Sequence, residues 1–146
     1  MPDTSLAHAD EVYTIMHAAF AVYNTLGVGF LEAVYQEALE IELKKHQVPF
    51  ESQKVLSIYY QGEELKKKYV VDLICWNTVI VELKAEMSLT KTDEAQLINY
   101  LKASGKQIGV LINFGNRKKL EWRRCIFSNT TYMTRNTIPE RDVSNQ

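Results

Sequence analysis

The sequence predicts an α/β domain with helices on both faces of a mixed central sheet, in the order ααβββαββ. Three observations point there. Apolar residues recur at helical spacing over 5–25, 30–46 and 91–104. Short runs rich in β-branched and aromatic residues occupy 55–60, 68–76, 78–84, 107–114 and 120–127. One of these, QIGVLINF, is apolar almost without interruption, as a strand covered on both sides must be. With 146 residues, 46% of them hydrophobic, the chain has the material for one core. The expected domain spans 1–127, followed by a polar, irregular tail over 128–146.

In the first helix Val12, Ile15, Met16, Ala19, Val22 and Tyr23 form the apolar stripe, and Gly27 and Gly29 supply the turn that ends it. The second helix carries a stripe of Leu31, Val34, Ala38 and Ile41, with Pro49 beyond its end. The strands VLSIYY, KYVVDLICW and TVIVELK are joined by tight turns at Gln61-Gly62-Glu63 and Trp76-Asn77-Thr78, so they read as an antiparallel meander. Thr90 or Thr92 caps the third helix, and Gly105 closes it in the left-handed conformation. The run LEWRRCIF is the last strand, at the sheet edge.

Several function classes drop out. No run approaches the roughly 20 apolar residues that span a bilayer, and the N-terminus lacks a basic and then apolar leader, so a cytoplasmic protein without a membrane partner is expected. Two cysteines, Cys75 and Cys125, are too few for a thiolate cluster and read as buried thiols. His8, His17 and His46 show no ligand spacing. The net charge of -1 hides an asymmetry: residues 1–43 hold seven acids and no Lys or Arg, so all 17 bases fall in the remainder. Lys66-Lys67-Lys68, Arg117-Lys118-Lys119 and Arg123-Arg124 could therefore make one face basic, or be solvated loops.

The chemistry concentrates in the second and third strands of the meander. Glu82 and Lys84 interrupt an otherwise interior strand, and an unpaired carboxylate there is costly. Two residues apart, they share a face, as a salt-bridged pair or as part of a site. If the hairpin turn centres on Asn77, Asp72 sits directly across from Glu82; a two-residue loop would place the acids on opposite faces. Carboxylates at about 5 Å repel, and a divalent cation with oxygen ligands removes the conflict.

Asp72 followed by Glu82-Leu83-Lys84 resembles the D…(E/D)xK signature of PD-(D/E)XK nucleases, and the αβββαβ order resembles their restriction-endonuclease-like three-layer core. Gln96 and Tyr100 are similar to the QxxxY element of the RecB-like branch. Gly29-Phe30-Leu31-Glu32-Ala33-Val34-Tyr35 matches the motif that names the GxxExxY family, and the resemblance runs from about Ala21 to Phe127. It implies Mg²⁺ or Mn²⁺ held by Asp72, Glu82, the Leu83 carbonyl and Glu32, with Lys84 orienting or deprotonating the attacking water. It implies hydrolysis of a nucleic-acid backbone, DNA ahead of RNA. Gln96, Tyr100, Lys66 and Lys68 are the expected substrate contacts, Tyr100 with a competing reading as core. Where this chain has Asp93, members of that family often carry His. The alternative function is a catalytically silent nucleic-acid-binding or interaction domain on the same fold, and a homo-oligomer or a partner protein is compatible with either.

Overall fold

The computed structural model describes residues 8–128, and the backbone of 132–135. Helices α1 (Ala9–Leu26) and α2 (Glu32–Lys45) precede strands β1 (Phe50–Leu56), β2 (Tyr59–Tyr60), β3 (Glu63–Glu64), β4 (Tyr69–Cys75) and β5 (Val79–Lys84). Helix α3 (Lys91–Ser104), β6 (Ile108–Asn113), β7 (Glu121–Phe127) and β8 (Tyr132–Arg135) follow. Six strands form one sheet in the order β1-β4-β5-β6-β7-β8, and β2 pairs only with β3. All contacts are antiparallel except β5 with β6, whose parallel register is reached by crossing over through α3. Helices α1 and α2 cover one face, packing Val12, Ile15, Met16, Tyr35 and Leu39 against Val79, Val81, Leu83 and Val110. On the other face α3 packs Leu97, Ile98 and Leu101 against Ile74, Ile80 and Leu111. This is the three-layer α/β/α arrangement, mixed sheet included, that the restriction-endonuclease-like resemblance implies.

The α3 boundaries follow local chemistry. Thr90 Oγ1 accepts from Asp93 N (3.1 Å) while Asp93 Oδ2 accepts from Thr90 N (3.0 Å), a reciprocal capping box. Gly105 ends the helix at φ 72°. Gly29, at φ 108°, sustains the α1–α2 turn, and a Cβ there would meet open space, so its role is backbone conformation.

Four expectations are corrected. The first strand is Phe50–Leu56, not 55–60; its Glu51, Ser52 and Gln53 are exposed on the sheet edge, where no burial imposes an apolar pattern. Tyr59 and Tyr60 instead belong to the separate hairpin. The face α2 buries carries Tyr35, Leu39 and Leu43; of the expected stripe, Leu31, Val34 and Ile41 are exposed. Finally, β7 is interior to the sheet, because residues 132–135 in the expected tail pair with it as an edge strand. The remainder of that tail lies outside the described residues. Among the described residues no helix is long and apolar enough to cross a membrane.

Candidate active site at the splayed hairpin

The β4–β5 hairpin has the register that places Asp72 opposite Glu82: Leu73 faces Val81, Ile74 faces Ile80 and Cys75 faces Val79. Its loop is the three residues Trp76-Asn77-Thr78, centred on Asn77, with Trp76 and Asn77 left-handed (φ 54° and 53°) and Thr78 N donating to Cys75 O at 2.9 Å. The ladder runs from the turn to Leu73–Val81 and stops there. On the other side of β4 the pairing with β1 skips Gln53 and Asp72, and Gln53 is itself left-handed (φ 51°). Val71 packs under α3 while Leu73, two residues on, packs under α1 and α2. Residues two apart on a regular strand share a face, so β4 reverses its alternation at Asp72.

The two carboxylates fill the gap this opens. Glu82 Oε1 accepts from Asp72 N at 2.7 Å, and Asp72 Oδ2 accepts from Leu83 N at 2.8 Å. Each acid thus takes over a backbone donor of the opposite strand that the broken ladder leaves without its regular partner. Glu82 is buried at 7% exposure. Burial first, and the charge of Asp72 second, push its carboxyl up to about 8, against the opposing pull of the Asp72 N–H and Lys84. Leu83 enters this arrangement through its N–H.

Lys84 points to the start of α3, where its Nζ lies 3.4 Å from Gln96 Oε1 and 3.8 Å from Asp93 Oδ1. Glu32, in the first turn of α2, is exposed, yet its carboxyl is raised by partial desolvation and then by Asp72, with Lys84 opposing. The structure therefore gathers Asp72, Glu82, Lys84, Gln96 and Glu32 at one end of the sheet. Tyr100 is close by but buried at 7% exposure, edge-on to Tyr69 at 4.7 Å. Burial and then the Glu82 charge raise its hydroxyl to about 12. It walls the acids on the core side. Lys66 and Lys68 are not brought in: Lys68 pairs with Glu64 and Ser57, and even Lys68 precedes Asp72 by about 13 Å of extended strand.

Three polar residues at the site went unassigned from sequence. Gln36, one turn after Glu32, donates to the Asp72 carbonyl at 3.1 Å and to Ser52 Oγ at 3.0 Å, tying α2 to the splayed strand. Asp93 and Glu86 form a carboxyl pair beside Lys84. Glu86 is raised to about 7, mainly by its hydrogen bond with Asp93. Burial works to raise Asp93, but Glu86, the Thr90 cap and Lys84 outweigh it and hold the group low. The capping-box spacing Thr90-x-x-Asp93 was the available signal for Asp93. Among the described residues, no three acidic, histidine or cysteine side chains converge on one coordination point.

Behind the site, fully buried Asn113 fixes the loop that follows β5. Its Oδ1 accepts from Glu86 N (2.9 Å) and Gly115 N (3.0 Å), and its Nδ2 donates to Glu86 O (2.8 Å) and Glu121 Oε1 (3.1 Å). Asn113→Ala strands these groups, so a loss of about 2–3 kcal/mol is expected, read as a lowered denaturant midpoint with unchanged slope. The expected basic cluster Arg123-Arg124 is not a free surface: Arg124 is fully buried, and Arg123 bridges Glu94 (3.1 Å) and Glu121 (3.5 Å). His17 and His46, which show no ligand spacing in sequence, meet edge-on at 5.2 Å. Both cysteines are buried, and burial pushes Cys75 up to about 12.

Comparison with known proteins decides the family. The model of the PD-(D/E)XK nuclease superfamily matches residues 9–125, from the first residue of α1 into β7. The chain belongs to the PD-(D/E)XK nuclease superfamily. Among solved structures, the crystal structure of SSO0001 superposes with a TM-score of 0.52 at 19% identity, covering 82% of this chain and 59% of that one. At that identity the likeness is one of fold. A comparison with curated proteins finds no match. Within the superfamily domain, the D…ExK residues of the sequence are those of the splayed hairpin.

Proposed function

We propose that the chain is a divalent-metal-dependent nuclease that hydrolyses DNA backbone, in the RecB-like branch and of the GxxExxY kind. The observation that carries this is the crossed pair of carboxylates at the splay, with Lys84 on the same face. An all-oxygen donor set suits Mg²⁺ or Mn²⁺. The charge balance suits such an ion: burial and Asp72 make a proton on Glu82 favourable, and a hard cation relieves the same repulsion. Asp72, Glu82 and the Leu83 carbonyl would hold the ion, with Glu32 completing the set directly or through water. When bound, it would supply Lewis acidity toward a phosphate and a water of lowered pKa.

The chain's own groups do the rest. Lys84, steered by Gln96 and Asp93, orients the water and stabilises charge developing on the phosphate oxygens. Water adds to phosphorus, the P–O bond to one sugar oxygen breaks, and that oxygen leaves with a proton. Gln36 is a positioning residue that holds the Asp72 backbone. The α2 and α3 N-termini, at Glu32 and Asp93, add partial positive charge on the substrate side.

The test is incubation of single- and double-stranded DNA and RNA with the protein and Mg²⁺ or Mn²⁺. Asp72→Ala should abolish cleavage; cleavage that survives it overturns the assignment. Two observations favour a second reading, a nucleic-acid-binding domain that does not cleave alone: Lys84 is already engaged by Asp93 and Gln96, and among the described residues no three acids converge on one point. That reading expects DNA binding without Mn²⁺ affinity.

A further inference from the structure

Beside the acids lies a cleft of about 290 Å³, lined by Gly29, Phe30, Glu86, Met87, Gly115 and Arg117 among others. Glu86 connects it to the site through Asp93, and its carboxyl also feels Lys84 and Glu32. Three loops build it: α1–α2, β5–α3 and β6–β7. Gly115 has to be glycine, because a Cβ would lie 2.5 Å from the Glu86 backbone.

The two walls are chemically different and both are held. Phe30 is 45% exposed, yet its ring is braced edge-on at 85° by buried Tyr35, 6.0 Å away. The Tyr35 hydroxyl accepts from Phe30 N at 3.3 Å and donates to Gly27 O at 2.6 Å, and its ring stacks on Phe114 at 4.7 Å. Exposed Leu31 and Met87, at 80% and 88%, flank this wall. The opposite wall carries Arg117, the first residue of the exposed run Arg117-Lys118-Lys119. Its Asn116 is anchored by the Tyr23 hydroxyl donating to Asn116 O at 2.5 Å, and by Lys118 N donating to Asn116 Oδ1 at 2.9 Å.

We infer that this cleft takes one unstacked nucleotide of a single strand, its base against Phe30 and its phosphate on Arg117 and the adjoining lysines. The inference rests on the nuclease reading for the nature of the ligand and deepens it by naming the form of the substrate. An acidic floor under a basic rim orients the nucleotide base inward and phosphate outward, since the Glu86–Asp93 pair keeps negative charge at the floor and Arg117 attracts phosphate. A braced, exposed aromatic ring gives binding energy only to a base whose face is free, and duplex bases hide theirs. Pocket size points the same way, because the cleft sits at the low end of the range for small-ligand sites and cannot admit a helix.

The experiment is binding of short fluorescently labelled single-stranded DNA, single-stranded RNA and the matching DNA duplex to the full chain in EDTA, so that affinity is read without hydrolysis. Phe30→Ala should weaken binding of at least one single strand by roughly 5- to 150-fold and leave duplex binding unchanged, while Phe30→Tyr retains it. Arg117→Ala should reduce the salt slope for that strand by about 0.7. Both variants are checked for an unchanged melting temperature. Equal affinity of wild type and Phe30→Ala for both single strands, or a preference for duplex, overturns the inference. Failure here with metal-dependent cleavage intact leaves the nuclease reading standing. Phe30-dependent binding without any cleavage does the reverse.

Discussion

Replacing Lys84 by alanine is expected to lower kcat for DNA hydrolysis by about 10²- to 10⁴-fold, the range of a positioned group that manages a proton and charge in the transition state. Folding and metal affinity should survive. Lys84 is partly exposed at the end of β5, and its Nζ contacts are with exposed Gln96 and with Asp93, whose carboxylate keeps Thr90 and Glu86 as partners, so its removal strands no group. An ammonium beside the carboxylates opposes a cation, so the Mn²⁺ affinity of Lys84→Ala should equal or exceed that of the wild type. Steady-state kinetics and calorimetry on the same preparation check both halves. Unchanged kcat would mean that the lysine is a strand-end ion pair and no part of the chemistry.

The second large effect is on stability as a function of pH. In the metal-free protein Glu82 rises from its ordinary 4.5 to about 8 because it is buried and faces Asp72. A folded-state value above the unfolded one means that the folded chain holds more protons between those limits. The stabilisation is therefore complete below 4.5 and is lost as pH rises through 8. Stability should fall across that window by at most about 5 kcal/mol from this group, lowering the melting temperature by roughly 10–20 °C. Glu86, raised to about 7, works in the same direction. Glu82→Gln should flatten the profile, because the amide cannot ionise and its oxygen can still accept the Asp72 N–H. Adding Mg²⁺ should restore stability at the alkaline end, where the ion takes the place of the proton. A flat wild-type profile would show that Glu82 is solvated.

Much of the architecture was legible because local chemistry and tertiary demand agree. A turn centred on Asn77 predicts the observed β4–β5 register, with Asp72 opposite Glu82; the spacing leaves a two-residue loop open, and the structure decides between them. A threonine at 90 or 92 and Gly105 mark the ends of α3 by capping groups that work identically in a peptide and in a fold, and Thr90 is the one that caps. Strand β6 was plain because it is buried on both faces. What was not legible depends on neighbours. Strand β1 runs along an exposed edge, so its Glu51, Ser52 and Gln53 carry no alternation to read. Helix α2 offers two apolar stripes, and the choice of Tyr35, Leu39 and Leu43 over Leu31, Val34 and Ile41 is made by where α1 and β5 lie.

The site divides the same way. Asp72, Glu82 and Lys84 stand out because charge inside an apolar strand demands compensation. Gln36, Glu86 and Asn113 do not, since a polar residue near a helix start or a strand end is ordinary until its partners are known. Asn113 gave a partial signal as the one polar side chain within the strand segment IGVLIN. The splay at Asp72 was invisible for another reason: it goes with Gln53 on a different strand at φ 51°, where the β1–β4 ladder is interrupted, a pairing that the spacing within one segment does not encode. Lys66 and Lys68 show the converse, a conspicuous basic run that sheet geometry carries away from the acids.

The most direct test of the claim that the splayed hairpin is a divalent-cation site is titration of the chain with Mn²⁺ by calorimetry, compared with Asp72→Asn. That variant keeps a side-chain oxygen to accept from Leu83 N and removes the charge. Saturable binding by the wild type, weakened at least about tenfold in Asp72→Asn, is the predicted result; no Mn²⁺ affinity in the wild type, or an undiminished affinity in the variant, would contradict it.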